Sequence, residues 1–177
     1  MIIHRLDARA IRELRPQLAT LLLDAVADGF SLGFLAGLDE AQLASYWEDV
    51  ERDVVRGSRV LLGAEREGML VGTVQLALCQ EPSGSNRAAL EKMLVHCTAR
   101  RRGVGSALLQ AAEIEALGLR RGLLYLDAEA GSGMERLVER AGFHRVGELP
   151  DFACSPNGHW RAAAIWYKTL FPRARRT

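Results

Sequence analysis

The stretch Arg100-Arg101-Arg102-Gly103-Val104-Gly105-Ser106 constrains this chain more than any other. It joins an apolar run over residues 90–95 to an amphipathic run over residues 104–117. A strand that ends in a glycine-punctuated turn and re-enters as a helix commits the chain to an α/β architecture. Such a turn also aims backbone N–H groups and the positive end of a helix dipole at one point, a ready phosphate cradle. The three arginines add charge-assisted contacts to phosphate oxygens. Solvated arginines on a tight turn are the competing reading, and the flanking sequence decides between them.

Around that turn the pattern resolves into a single domain, residues 1–177, long enough for one proper core and too short to favour two. Residues 2–6 read as a strand. Ile11, Leu14, Leu18, Leu21, Leu22 and Ala25 recur at helical spacing and predict a helix ending near Gly29. Residues 30–35 are apolar but glycine-broken and read as a structured loop, and residues 39–56 as a helix stopped by Gly57. Residues 60–64 and 70–78 form a hairpin about Arg66-Glu67-Gly68. The run 90–95 does not alternate cleanly, so either both faces are buried or a bulge interrupts it. A fifth strand, 123–126, ends at Asp127. Ser132 and Glu135 have capping-box spacing before a helix that Gly142-Phe143 ends. Strands at 146–149 and 162–170, joined through an Asn157-Gly158 turn, complete a mixed α/β sheet.

Composition narrows the function. The net charge of +1 supplies no field for nucleic acid or an acidic membrane surface. The remaining basic cluster, Arg173, Arg175 and Arg176, reads as a solvated tail. Cys79, Cys97 and Cys154 are odd in number and widely spaced, which argues against a disulfide framework or a zinc site. His96 and Cys97 are adjacent and, on a strand, would point to opposite faces, so no metal site is expected. No apolar run reaches membrane-spanning length, and the expectation is a reduced, cytoplasmic protein.

Met93-Leu94-Val95, then Arg100-x-x-Gly103-x-Gly105, then Ala141-Gly142-Phe143, set in this element order, resemble the GCN5-related N-acetyltransferase (GNAT) superfamily. Residues 78–80, 122–132, 145–150 and 164–170 are similar to a toxin-resistance branch of it, and Ser31-x-Gly33-Phe34 extends the likeness to the N-terminal half. It covers nearly the whole chain. The resemblance implies a mostly antiparallel sheet of six to seven strands with helices on both faces, splayed between strands 4 and 5. It also implies acetyl-CoA as co-substrate, with no metal. The pyrophosphate would sit on the backbone of residues 101–105, joined by Arg100, Arg101, Arg102 and Ser106. Met93 and Val95 would line the pantetheine arm, and the N–H of Leu94 or Val95 would polarise the thioester carbonyl. Independently of any likeness, a loop after a strand is where open α/β sheets bind ligands, and a fixed N–H stabilises a developing oxyanion.

Acetyl transfer to an amine also needs a proton acceptor, because such an amine is mostly protonated at neutral pH. Asp127, at the end of the fifth strand, is the first candidate; the aspartate of the matching Leu-Asp-x-Glu-Ala-Gly-Ser stretch is the general base that the resemblance implies. Glu129 is a second carboxylate, equally readable as an exposed loop charge. Ser132 is better explained as a helix N-cap than as a nucleophile. The superfamily's usual general-acid tyrosine is replaced by Val138, with Tyr125, Tyr167 and Ser132 as substitutes. Phe34, Glu129, His159 and Trp160 are the candidate acceptor-binding residues. The expected acceptor is a small amine, a β-lactam toxin or antibiotic being the leading case. Another metabolite amine, a polypeptide amine, or a catalytically weak acyl-CoA-binding module are the alternatives. Monomer and homodimer both stay open.

Overall fold

The computed structural model describes residues 1–30, 33–34 and 37–171. Ser31, Leu32 and Leu35 of the predicted loop and the arginines of the tail lie outside them. In chain order the elements are β1 (Ile2–Arg5), α1 (Ala8–Glu13), α2 (Arg15–Ala27), α3 (Glu40–Arg56), β2 (Arg59–Arg66) and β3 (Met69–Leu78). They continue with β4 (Arg87–Val95), α4 (Val104–Gly118), β5 (Leu123–Glu129), α5 (Gly133–Arg140), β6 (His144–Cys154) and β7 (Trp160–Thr169). The strands form one seven-stranded sheet in the order β1-β2-β3-β4-β5-β7-β6. Only β4 and β5 run parallel among its pairs.

Local signals place most boundaries. Asp39 accepts from the Gln42 N–H at 2.7 Å while the Gln42 side chain accepts from the Asp39 N–H at 3.1 Å, a complete capping box for α3. Gly57 closes α3 in the left-handed region that glycine adopts without strain. Two expectations need correction. The helix predicted from Ile11 to Ala25 is two helices, broken at Leu14, because Pro16 lacks an N–H and its ring excludes the preceding turn. The last strands are also longer than predicted. β6 runs through Pro150 because that segment bulges: Pro150, Asp151 and Phe152 stand opposite Ala162 alone, between the pairs Leu149–Ala163 and Ala153–Arg161. β6 is an edge strand, where a proline costs no ladder hydrogen bond.

The bulge anticipated in β4 is present and shapes the molecule. Thr73 pairs with Leu94 and Gln75 with Glu91, so Lys92 and Met93 together face Val74. Lys92 takes a left-handed φ of 45° to make this fit. One extra residue inverts every side chain beyond it. Ala88 and Leu90 therefore pack with α4 and α5, whereas Leu94 packs on the other face with α1, α2 and α3. The bulge also turns the end of β4 out of line with its parallel neighbour. Pairing between β4 and β5 covers only Arg87–Leu123, Ala88–Leu124 and Ala89–Tyr125, and beyond these the strands part.

Candidate active site

Where β4 and β5 part, a cleft of about 540 Å³ opens. Residues 90–95 of β4 form one wall and residues 126–129 of β5 the other, with the turn leading into α4 and one side of α5 at the mouth. Arg101, with φ 61°, and Gly103, with φ 82°, bend the backbone into the α4 N-terminus. No side chain caps that helix, so the N–H groups of its first turn keep their donor capacity. Gly105 lets α4 approach α5 closely, since a Cβ there would stand 3.3 Å from a Leu137 methyl.

The arginines divide. Arg101, Gly103, Val104, Gly105 and Ser106 line the cleft, and Arg102 does not. Arg100 reaches the cleft but its guanidinium is engaged elsewhere. Its Nε donates to the Val95 carbonyl at 2.8 Å, its Nη2 to Asp24 at 2.8 Å and its Nη1 to Asp28. Phe30 lies against it with its ring centre 5.2 Å away. Arg100 thus ties α2 to the turn, which corrects its expected place among the phosphate contacts. Burial alone would raise the Asp24 pKa, but hydrogen bonds from Cys97 and the charges of Arg100 and His96 hold it below the usual carboxylate range.

Strand geometry separates Leu94 from Val95. His96 N–H donates to the Val71 carbonyl at 3.0 Å, which makes Gly72–Val95 a pair without mutual hydrogen bonds. The next pair, Thr73–Leu94, then points the Leu94 N–H at β3, and the Val95 N–H faces away from β3 towards the split. Of the two N–H groups expected to polarise a thioester, that of Val95 therefore faces the split and that of Leu94 does not. Met93 lines the cleft beside them.

On β5, Leu124, Leu126 and Ala128 turn into the core, so Tyr125, Asp127 and Glu129 share the opposite face. Asp127 and Glu129 line the cleft, the latter 3.8 Å from Arg161. Ser132 occupies the N-cap position of α5, but its hydroxyl makes no capping bond. Glu135 reaches back to the Gly131 N–H at 2.7 Å, and the buried Ser132 Oγ has no partner among the described residues. Val138 is fully buried in the core. Of the three proposed substitutes for its missing hydroxyl, Ser132 lines the cleft, and neither Tyr125 nor Tyr167 does.

Three cationic residues of the cleft escaped the sequence reading. Lys92 enters through the bulge, and the broken alternation of residues 90–95 was its signal. Burial pulls its ammonium pKa down, opposed by the charges of Glu91 and Asp127. Arg136 and Arg140 lie one turn apart on the side of α5 that faces the cleft. Their spacing opposite Met134, Leu137 and Val138 was legible but had no ligand attached to it. The acceptor candidates fare differently. Phe34 packs edge-on against Tyr46, with centroids 5.1 Å apart, and does not line the cleft. His159 and Trp160 sit exposed at the β6–β7 tip, outside its walls. Of the four, Glu129 alone is at the site.

A split between adjacent parallel strands beside an uncapped helix N-terminus gives room for an extended ligand and a place for an anionic group. The model of the Acetyltransferase (GNAT) family matches residues 18–143, and the chain belongs to that family. Its reaction class is therefore acetyl transfer, with acetyl-CoA as donor. Solved structures share the fold. The ribosomal-protein-alanine N-acetyltransferase of Brucella melitensis superposes with a TM-score of 0.79 at 23% identity, over 96% of this chain and 100% of its own. The aminoglycoside 6'-N-acetyltransferase of Enterococcus faecium gives 0.74 at 20% identity over 98% and 99%. A Salmonella typhimurium protein solved with its cofactor acetyl-CoA gives 0.75 at 17% identity over 100% and 98%. Among the described residues, no helix is long and apolar enough to cross a membrane.

Proposed function

We propose that the protein moves the acetyl group of acetyl-CoA onto the amine of a small molecule by direct attack on the thioester. The observation that carries this reading is the parting of β4 from β5 immediately beside the uncapped α4 N-terminus. An extended pantetheine arm fits between the strands, and its pyrophosphate meets the first-turn N–H groups of residues 103–106. Arg101 contributes from the turn itself, and Arg136 and Arg140 from α5, in place of Arg100 and Arg102. The Val95 N–H faces the thioester oxygen and stabilises the charge that develops on it.

Asp127 stands on the β5 wall, across the split from the Val95 end of β4, and takes a proton from the acceptor's ammonium, directly or through a water, which frees the neutral amine to attack the thioester carbon. As the tetrahedral intermediate collapses, the C–S bond breaks and the thiolate needs a proton. Ser132, whose buried hydroxyl is unpartnered and lines the cleft, supplies a donor at the place where Val138 cannot. A thiol of pKa about 8.5 is a tolerable leaving group, so a modest donor suffices.

The likeness of residues 78–80, 122–132 and 145–150 to the tabtoxin-resistance acetyltransferase favours a β-lactam-containing, amino-acid-like toxin as acceptor. Cleft charge agrees in part, because Asp127 and Glu129 attract an ammonium while Lys92 offers a cation near them. A polypeptide amine is the alternative acceptor. The full burial of Val138 supports a second reading, a weakly catalytic acyl-CoA-binding module. Steady-state release of CoA thiol with a panel of small amines separates them. Turnover with an amino-acid-like amine supports the proposal; tight acetyl-CoA binding with no thiol release for any amine supports the binding module.

A further inference from the structure

One cluster of chemistry-bearing side chains lies outside the acetyl-transfer apparatus. Adjacent strand residues diverge, but β4 ends at Val95 and a short 3-10 turn starts at Cys97. The expected separation of His96 from Cys97 therefore fails. The Cys97 sulfur stands 3.8 Å from His96 Nδ1. The ring is oriented by Thr98, whose N–H donates to Nδ1 at 3.4 Å and whose hydroxyl lies 2.9 Å from it. Nδ1 has a single in-plane lone pair, so a metal bond there replaces the long 3.4 Å bond from the Thr98 N–H, while the Thr98 hydroxyl can rotate away. Asp24, on α2, joins from the other side and accepts from the Cys97 N–H at 2.9 Å. One ligand atom of each residue lies within 4.8 Å of the others.

We infer that Asp24, His96 and Cys97 form a binding site for a thiophilic divalent cation, with Zn²⁺ as the fitting ion. One sulfur, one imidazole nitrogen and one carboxylate oxygen are a donor set that zinc accepts in tetrahedral geometry, leaving a fourth position to water. The sulfur ligand disfavours Mg²⁺ and Ca²⁺, which take oxygen donors. A cation binds the thiolate, so the Cys97 thiol must give up its proton. The cation takes this proton's place: the S–H bond breaks, a sulfur–metal bond forms and the proton leaves to solvent. Carboxylate lone pairs suffice for this, because the bonds from Cys97 N–H and Arg100 both fall on Oδ2. Cys97 is exposed, so an ion reaches the site without any opening of the fold.

The site joins α2 to the end of β4 and stands beside the Arg100 anchor. It takes no part in the chemistry, since acetyl transfer needs no metal, and the inference does not depend on the acceptor or mechanism proposed above. A cation bound only by the folded chain raises its melting temperature, by an amount that saturates with site occupancy.

The test uses the untagged full-length chain, reduced with a phosphine that does not chelate metals, and Zn²⁺ and Co²⁺ as probes. One equivalent of Zn²⁺ per chain is expected by calorimetry, with a rise in Tm. Co²⁺ should give a thiolate-to-cobalt charge-transfer band. Cys97→Ser should abolish the band and weaken Zn²⁺ by more than about tenfold, the scale that even a supporting group contributes. His96→Ala should weaken it similarly. The double variant Cys79→Ser/Cys154→Ser should retain both signals. No binding at stoichiometric Zn²⁺ overturns the inference. So does a band that survives in Cys97→Ser or disappears in the Cys79/Cys154 variant.

Discussion

The turn before α4 and the tip between β6 and β7 are both built from glycine and polar residues, yet they stand in opposite relations to the cleft. At the first, the backbone presents uncapped N–H groups to the cleft. Left-handed Arg101 and Gly103 set the direction of the N–H groups, and α4 holds them there. At the second, the Ser155 hydroxyl and N–H close on the His159 carbonyl at 2.8 and 2.9 Å, which uses the local polar groups on the loop itself. Trp160, 64% exposed, is left outside the cleft walls. A donor common to a whole family is held by geometry that a short motif encodes. An acceptor peculiar to one enzyme is held by side chains whose meeting depends on the whole chain.

The sharpest way to break this contrast is at Asp127, on the wall that both substrates share. Asp127→Asn is expected to lower kcat by about 10²- to 10⁴-fold, the usual range for a lost general base, while acetyl-CoA affinity stays within about twofold. Turnover across pH, alongside calorimetric binding of acetyl-CoA, reads both, and unchanged turnover would sink the assignment. On the donor side, Arg136→Gln/Arg140→Gln should weaken acetyl-CoA by about tenfold, the effect shrinking as salt screens the exposed pair. A salt-independent loss would mean that the two arginines act through packing.

A third prediction concerns the support of the α5 wall. Burial alone would raise the Glu135 pKa, but the Gly131 N–H, Arg145 and the Trp166 indole hold its carboxyl below the ordinary glutamate range. A folded pKa depressed in this way adds stability above the unfolded value near 4.3, and that stability is lost as pH falls through the folded pKa. Glu135→Gln should therefore cost about 1 kcal/mol near neutral pH, or about 2–4 °C in Tm. Thermal melts of the two proteins should converge as pH falls below the ordinary glutamate range and through the depressed folded pKa, and a constant gap would reject the linkage. The smallest effects belong to Arg102→Ala and Trp160→Ala, which should leave acetyl-CoA affinity within about twofold. A tenfold loss from either would redraw the cleft.

These magnitudes track what the sequence makes legible. The cradle, the α3 caps and the hairpin at Glu67-Gly68 are local, each set by residues within a few positions of one another. The broken pattern of residues 90–95 allowed a bulge or burial on both faces, and did not show that a bulge would turn Lys92 into the cleft. Arg100 was misplaced because its partners, Asp24 and Asp28, lie more than seventy positions away in sequence. Phe34 looked like a substrate contact for want of knowing that Tyr46 meets its ring. His96 and Cys97 were separated by a rule that holds on strands and lapses one residue past their end.

The three-residue contact between β4 and β5 has a mechanical meaning. Four strands on one side and three on the other are joined there by a seam too short to hold the blades parallel. The helices α4 and α5 bridge the seam on one face. The gap leaves the Val95 N–H facing outward from β4, as it would face another strand. In the binding mode proposed above, the co-substrate would complete one sheet with the strands on either side, and the seam would stand open whenever it has left.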